Sequence, residues 1–152
     1  MSDNNLIFVG TYNNFIKEKT SPSDGIYTLS FNNSTGELKI ISSVINKENP
    51  SFLTISKNKK YLFSVGELDD IRISKISSYK INKSKKCLEF INSASCNGLG
   101  PCHITIDNSG KYIYTANYSG KSVSFLPVSE FGKLSDSPIV MHHGKGSNVN
   151  KS

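Results

Sequence analysis

The sequence predicts an all-β fold of the β-propeller class, with about three four-stranded antiparallel blades. The first observation is an internal repeat, because "NPSFLTISKNKKYLFSVGE" (49–67) aligns without a gap with "GPCHITIDNSGKYIYTANY" (100–118). Pro50 then matches Pro101, an offset of 51 residues. The second observation is that the repeat holds only short, partly alternating apolar segments and no helical period. Repeats of about 40–50 residues made only of strands are typical of propellers.

Each predicted blade has four strands, A to D from the axis outward. Within 49–95 we expect A in "SFLTIS", B in "YLFSVGE", C in "ISSYKI" and D in "LEFINSA", separated by turns rich in Asn, Gly, Ser and Lys. The first blade begins at strand B, "LIFVGTY". We expect strand D of the three blades to open at Leu38, Leu88 and Leu134. The predicted single domain divides into a partial blade at 1–48, blades at 49–99 and 100–142, and the start of another at 143–152.

The predicted number of blades raises a question about ring closure. Closed propellers have about four to eight blades, and three blades leave two open sheet edges. Either the chain is part of a longer protein or it assembles with other chains to close the ring, and we expect it to be the N-terminal part of a longer protein.

The composition favours an intracellular protein that does not bind nucleic acid. The net charge of +6 is carried almost wholly by lysines, which cluster in short turns, "KNKK" at 57–60 and "KSKK" at 83–86, and no recognised nucleic-acid module is present. No apolar run is long enough to span a bilayer, and "MSDNNLIFVG" does not resemble a signal peptide, so we expect no membrane partner and a cytoplasmic location. The three cysteines fit neither a disulfide framework nor a zinc motif.

Five motifs occur in an order that resembles a known family. They are "FVGTY", "GIYTLSF" with "TGEL", "NPSFLTIS", "GPCHITID" with "GKYIYTANYSGKSVSFLPV", and "HHGKGSNVN". Together they resemble the seven-bladed propeller lactonases, a family that includes propeller-type 6-phosphogluconolactonases and carboxymuconate-lactonizing enzymes. The resemblance implies seven blades in the whole protein, and an Arg-Gln pair and a His-x-His-Ser segment beyond Ser152.

The direction of the predicted strands sorts the loops between two ends of the blades. The D–A and B–C loops open at one end, where polar side chains gather. His103 is the catalytic candidate, because an imidazole can exchange a proton with a water that attacks a lactone carbonyl. The candidate substrate-binding residues at this end are Tyr12, Glu67, Asn117, Tyr118 and His143.

Each candidate also has a structural interpretation. His103 could pack at a strand entrance, Glu67 could be a solvated carboxylate, and Asn117 with Tyr118 belongs to a good turn sequence, "NYSG". His143 adjoins "HGKGSN", whose amides and Lys145 could hold an anion. Cys102 and His103 should point to opposite faces of their strand, which argues against a Cys–His pair.

The resemblance implies hydrolysis of an anionic sugar-acid lactone, with 6-phospho-D-glucono-1,5-lactone of the pentose phosphate pathway as the leading substrate. We expect no metal and no cofactor, because the sequence lacks zinc spacing and a nucleotide fingerprint. The alternatives are a muconate-type lactonizing cycloisomerase and a non-catalytic binding scaffold. We expect the 152 residues by themselves to be inactive.

Overall fold

The computed structural model describes residues 4–13 and 23–144, and this part of the chain is built from β-strands joined by turns. The strands are β1 Asn4–Gly10, β2 Gly25–Asn32, β3 Leu38–Ile45, β4 Leu53–Ile55, β5 Tyr61–Val65, β6 Lys75–Asn82, β7 Cys87–Ser95, β8 Pro101–Ile106, β9 Tyr112–Asn117, β10 Ser122–Pro127 and β11 Ile139–His142. Within these described ranges, no helix is long and apolar enough to cross a membrane.

The strands form three antiparallel sheets in which sequence neighbours are also spatial neighbours. The first sheet has the order β1-β2-β3, the second β4-β5-β6-β7 and the third β8-β9-β10-β11. In the second sheet, strands A to D of the prediction are therefore consecutive members of one sheet, and the third sheet has the same order of four strands. The predicted all-β fold with four-stranded antiparallel blades is confirmed.

Two apolar cores hold the three sheets face to face. Leu62 points from β5 toward the first sheet, where it packs with Ile26, and Phe63 points toward the third sheet, where it packs with Ile104. All four side chains are at most 1% exposed. Because side chains alternate along a strand, an apolar run in β5 can fill both cores at once. The middle blade is thus buried on both faces, as expected for a blade inside a propeller.

The repeat extends from the strands into the loops. Asn49 has a positive φ of 51°, and Gly100, 51 residues later, has a φ of 62°. The amide of Glu67 donates to the carbonyl of Asn49 at 3.1 Å, and the amide of Tyr118 donates to that of Gly100 at 2.9 Å. Both D–A loops therefore use the same left-handed residue and the same hydrogen bond to the end of strand B.

The prediction that Leu134 opens strand D of the third blade is wrong. Leu134 forms an isolated bridge with Val128 and is 1% exposed, whereas strand D is β11 and begins at Ile139. Pro138 lies between them and has no amide to donate to a ladder, which favours a start of the outer strand after it. Leu134 fills the core between the second and third sheets instead.

Candidate functional site

The D–A and B–C loops of the three sheets lie at one end of the blades, which we call the mouth. Its described segments are 11–13, 23–24, 46–52, 66–74, 96–103, 117–121 and 143–144. Strand A is the innermost strand of a blade, so residues that lead into β4 and β8 lie closest to the axis. The mouth is therefore built from corresponding positions of successive blades.

Glu67 lies at the centre of a polar cluster in the mouth. The Ser51 hydroxyl donates to Oε2 of Glu67, and the Tyr12 phenol is hydrogen-bonded to the same carboxylate. Partial burial raises the pKa of Tyr12, and the hydrogen bond to Glu67 raises it further. The thiol of Cys102 lies close enough to interact electrostatically with that phenol. Three blades thus contribute to one cluster.

His103 lies beside this cluster at the entrance of β8. Its imidazole packs against the ring of Phe52, with the ring centroids 4.3 Å apart and the planes tilted by 48°. Phe52 is the repeat equivalent of His103, so two neighbouring blades place rings at the same height next to each other. Both side chains are exposed, which leaves the imidazole accessible to a ligand and to water.

A buried amide network lies beneath the cluster, between the first and second sheets. The Asn13 amide donates to the side-chain oxygen of Asn49 at 3.0 Å, and the side chain of Asn13 donates to the carbonyl of Asn46. The side chain of Asn49 donates to the carbonyl of Glu67 at 3.2 Å. The Asn46 amide donates to the Tyr79 hydroxyl at 2.8 Å. Asn13 follows Tyr12 directly, and Asn49 bonds to the backbone carbonyl of Glu67. The network therefore fixes the backbone at Tyr12 and at Glu67, whose side chains share a hydrogen bond.

Two contacts join the second and third sheets at the same end. The Gly100 amide donates to the carbonyl of Leu68 at 3.1 Å, and the Ser119 hydroxyl donates to Asp69 at 2.6 Å. A Cβ at residue 100 would lie 2.9 Å from both Asp69 Oδ1 and Ser119 Oγ, and the φ of +62° also favours glycine there. These contacts join the third blade, which carries His103, to the blade that carries Glu67.

The structure places Asn117 inside the third blade. Its side chain is 2% exposed and donates to the hydroxyls of Ser122 at 3.0 Å and Ser124 at 2.8 Å, while it accepts from Thr115 at 3.2 Å. Gly98 packs directly against this amide. The geometry therefore favours the structural interpretation of Asn117 over contact with a sugar hydroxyl.

Tyr118 and His143 are both solvent-exposed but lie in different places. Tyr118 is 83% exposed in the B–C turn of the third blade, at the repeat equivalent of Glu67. His143 follows β11, the outermost strand, and its amide donates to the carbonyl of Lys121 at 3.0 Å. Three strand spacings, about 14 Å, separate β11 from β8, so the third sheet does not bring His143 to His103. Lys145 and the glycine-rich loop lie outside the described residues.

Sequence reasoning did not select Ser51, and it considered Cys102 only as a partner of His103. The available signal was the offset of 51 residues, which makes Ser51 the equivalent of Cys102, just as Phe52 is the equivalent of His103. Arg72, by contrast, is engaged in its own loop, since its guanidinium donates twice to Asp70 at 2.9 and 2.6 Å. These bonds hold the pKa of Asp70 down at about 2. Among the described residues, no three His, Cys, Asp or Glu side chains converge as a metal site would require.

The arrangement offers a carboxylate, a phenol, a hydroxyl and an accessible imidazole at the inner end of adjacent blades. Such a set can bind polyhydroxylated ligands and exchange protons with water.

Comparison with known proteins identifies the family. The family model described as "Lactonase, 7-bladed beta-propeller" matches residues 6–152. The chain belongs to the seven-bladed β-propeller lactonase family. The resemblance carried by the five sequence motifs is thereby confirmed, and so is the propeller fold.

Curated relatives and solved structures agree with this membership. The 6-phosphogluconolactonase of Formosa agariphila is 39% identical over 128 residues, covering 84% of this chain and 35% of the relative. That of Bacillus subtilis is 30% identical over 141 residues, covering 91% and 38%. A crystal structure of a candidate 6-phosphogluconolactonase from Bacteroides fragilis is 33% identical with a TM-score of 0.83, covering 98% of this chain and 39% of that one. The periplasmic gluconolactonase PpgL of Pseudomonas aeruginosa is 28% identical with a TM-score of 0.70, covering 87% and 36%. The chain thus spans less than two fifths of the length of each of these proteins.

Proposed function

We propose that the seven-bladed protein containing these blades hydrolyses a sugar-acid lactone, with 6-phospho-D-glucono-1,5-lactone as the leading substrate. The observation that carries the proposal is the convergence of Tyr12, Glu67 and Ser51 next to the exposed His103 at the inner end of the blades. The names of the relatives that match most of this chain support the same substrate class.

In the proposed reaction, His103 accepts a proton from water as the water oxygen bonds to the lactone carbonyl carbon. The bond between that carbon and the ring oxygen then breaks, and the imidazolium returns the proton to the ring oxygen, which leaves as a hydroxyl. The products are the open-chain acid and the regenerated imidazole. The tilted ring of Phe52 packs against the imidazole from the neighbouring blade and would help to position it.

Glu67 and Tyr12 would position the substrate. An ionised carboxylate has about four acceptor positions, so Glu67 can bind sugar hydroxyls while it still accepts from Ser51 and Tyr12. Tyr118, at the same repeat position one blade further on, would add an exposed phenol. The basic composition of the chain suits a substrate that carries a phosphate.

We also propose a cytoplasmic location and a role in the pentose phosphate pathway. The three cysteines of the chain are all free thiols, which is the usual state in a reducing compartment.

The catalytic part of the proposal is tested by His103→Gln in the complete protein, with His142→Gln as the matched control. His142 is also exposed but lies on the outermost strand β11. We expect His103→Gln to lower lactone hydrolysis by about 10²–10⁴-fold, the usual contribution of a general base, with an unchanged melting temperature. His142→Gln should retain full turnover. Normal turnover of His103→Gln would contradict the catalytic role, and a large loss of stability with normal turnover would favour packing.

The substrate is tested by direct comparison of lactone hydrolysis with muconate lactonization. Consumption of 6-phosphogluconolactone above its spontaneous rate supports the hydrolase. Activity only toward muconate-type acids would favour the cycloisomerase, and activity toward neither would favour a binding scaffold.

A further inference from the structure

A basic cleft lies between the first and second sheets, at the end of the blades opposite the mouth. Its volume is about 830 Å³, and the A–B turn and the C–D turn of the middle blade form its rim. Each turn contributes two lysines, Lys57 and Lys59 from the first, and Lys83 and Lys86 from the second. The fold thus brings "KNKK" and "KSKK", which are more than twenty residues apart in the chain, to one opening.

Among the residues that the structure describes, the four lysines have no acidic partner in this opening. No carboxylate is among the described residues that line the cleft, and none of the four lysines takes part in an ion pair between described residues. The remaining lining comprises polar side chains from Asn5, Ser30 and Ser56 and an apolar wall from Leu6, Phe8, Ile55 and Ile81. Four like charges around one opening repel one another, so the arrangement lowers stability unless an anion is bound.

Two of the lysines occupy backbone positions that suit glycine. Lys59 has a φ of 56°, and its repeat equivalent in the third blade is Gly110, with a φ of 73°. Lys86 has a φ of 52°, and its equivalent in the first blade is Gly36, with a φ of 74°. The left-handed region is unfavourable for side chains with a Cβ, and the sister turns avoid that cost. The middle blade therefore retains a positive charge at both positions against a backbone preference.

Both turns hold their lysines in a defined place. The Asn58 side chain accepts from the Lys60 amide at 3.0 Å and from the Ser56 hydroxyl at 2.7 Å. In the second turn the Asn82 side chain accepts from the Lys85 amide at 3.0 Å, and the Lys86 carbonyl accepts from Ser42 of the first sheet at 3.0 Å. The charges are thus presented on short, internally hydrogen-bonded turns, which lowers the entropy lost when a ligand binds.

The cleft between the second and third sheets at the same end provides a contrast. It has a volume of about 720 Å³ and is lined by Lys57 and Lys111 together with the carboxylate of Glu130. Gly110, in the place of Lys59, is also part of this lining. Concentrated and unbalanced positive charge is therefore a property of the first cleft and not of every cleft at this end.

We propose that the cleft between the first and second sheets binds a small, multiply charged phosphate anion, such as an organic polyphosphate. Lysine ammonium groups bind phosphate as point charges. The planar guanidinium of arginine, by contrast, forms paired hydrogen bonds with carboxylates and phosphates. The polar side chains of Asn5, Ser30 and Ser56 would form further hydrogen bonds with the anion, and the apolar wall would contact the organic part of the ligand. This site is independent of the lactone site, since it lies at the other end of the blades.

The proposal is tested with inorganic tripolyphosphate by isothermal titration calorimetry at constant ionic strength. The decisive variant carries Lys59→Gly and Lys86→Gly, and we expect it to bind at least about tenfold more weakly. Without ligand, the melting temperature of the same variant should be at least about 2–4 °C higher, because glycine adopts the left-handed backbone conformation without strain. A gain in stability combined with a loss of affinity is a result that a purely structural role of these lysines does not produce.

Two further variants distinguish anion binding at this cleft from a general effect of the positive charge of the protein. Lys57→Gln with Lys83→Gln removes charge from the same opening without changing a left-handed residue, and should also weaken binding. Lys111→Gln with Lys133→Gln removes two charges near the second cleft and should not. Equal affinity of the glycine variant and the parent, or an equal loss in the control, would overturn the proposal. So would tighter binding of a single-stranded oligonucleotide with the same lysine dependence, which would indicate a nucleic-acid surface.

Discussion

Truncation of Phe63 tests whether the second and third sheets share one apolar core. Phe63 is fully buried on β5 and packs with Val65, Ile104 and Ile113. Phe63→Ala removes a whole ring, and such substitutions in a core cost about 3–5 kcal/mol. We expect a value in the upper half of this range, because β5 is held from both sides and cannot move into the space without disturbing the core around Leu62.

The matched control is Phe90→Ala, which makes the same chemical change on the outer strand β7. Phe90 is 60% exposed and meets the Tyr79 ring only in an edge-type contact, with the centroids 5.8 Å apart, so its loss should cost about 1 kcal/mol or less. Urea unfolding followed by far-UV circular dichroism measures both, and this probe is suitable because the chain has no tryptophan. If Phe63→Ala costs no more than Phe90→Ala, the two sheets do not pack as described.

Three further substitutions test the seam between blades and one turn. Gly10→Ala would place a Cβ 1.9 Å from the backbone oxygen of Pro50, so we expect a loss of about 1–3 kcal/mol or more in urea unfolding. Tyr79→Phe leaves the buried Asn46 amide without its acceptor and should cost about 1–3 kcal/mol in the same assay, whereas an unchanged midpoint would contradict the network. Hydrogen bonds, chiefly from the Ser109 side chain, lower the pKa of Asp107 from 3.8 to about 2. The stabilisation by its carboxylate is therefore present above pH 3.8 and lost as the pH falls toward 2, so the difference in melting temperature between the parent and Asp107→Asn should shrink over that interval.

The repeat in the sequence contained most of the information about the fold. The gap-free offset of 51 residues located strands A and B of two blades, and the same offset paired Phe52 with His103, which lie in contact. The repeat failed where the third blade departs from it. Leu134 is apolar, as expected of the first residue of a strand. The strand begins only after Pro138, however, and Leu134 packs in a core.

The polar site was less predictable, because alternation along a strand assumes a regular ladder. The register of β8 against β9 shifts between Pro101 and His103, so the ladder is irregular at Cys102 and simple alternation does not place its side chain. The burial of Asn117 was also hidden from the sequence, since a polar residue at a strand end suits both a binding mouth and an internal hydrogen bond. Only the positions of Ser122 and Ser124 beneath it decide between the two.

The two ends of the blades follow one rule, although they serve different proposals. At the mouth, the position after the D–A proline holds Ser51 in one blade and Cys102 in the next, and a polar cluster forms where these copies meet. At the opposite end, a left-handed position holds Lys59 in one blade and Gly110 in the next, and a basic cleft forms beside the copy with the charge. Both blades have the same backbone conformation at these positions, although their side chains differ. The side chain found in one blade is therefore not required for folding. Substitutions at such positions should therefore alter binding or turnover while the blades stay folded. The glycine variant of the basic cleft tests this rule most directly, because it should both weaken binding and raise stability.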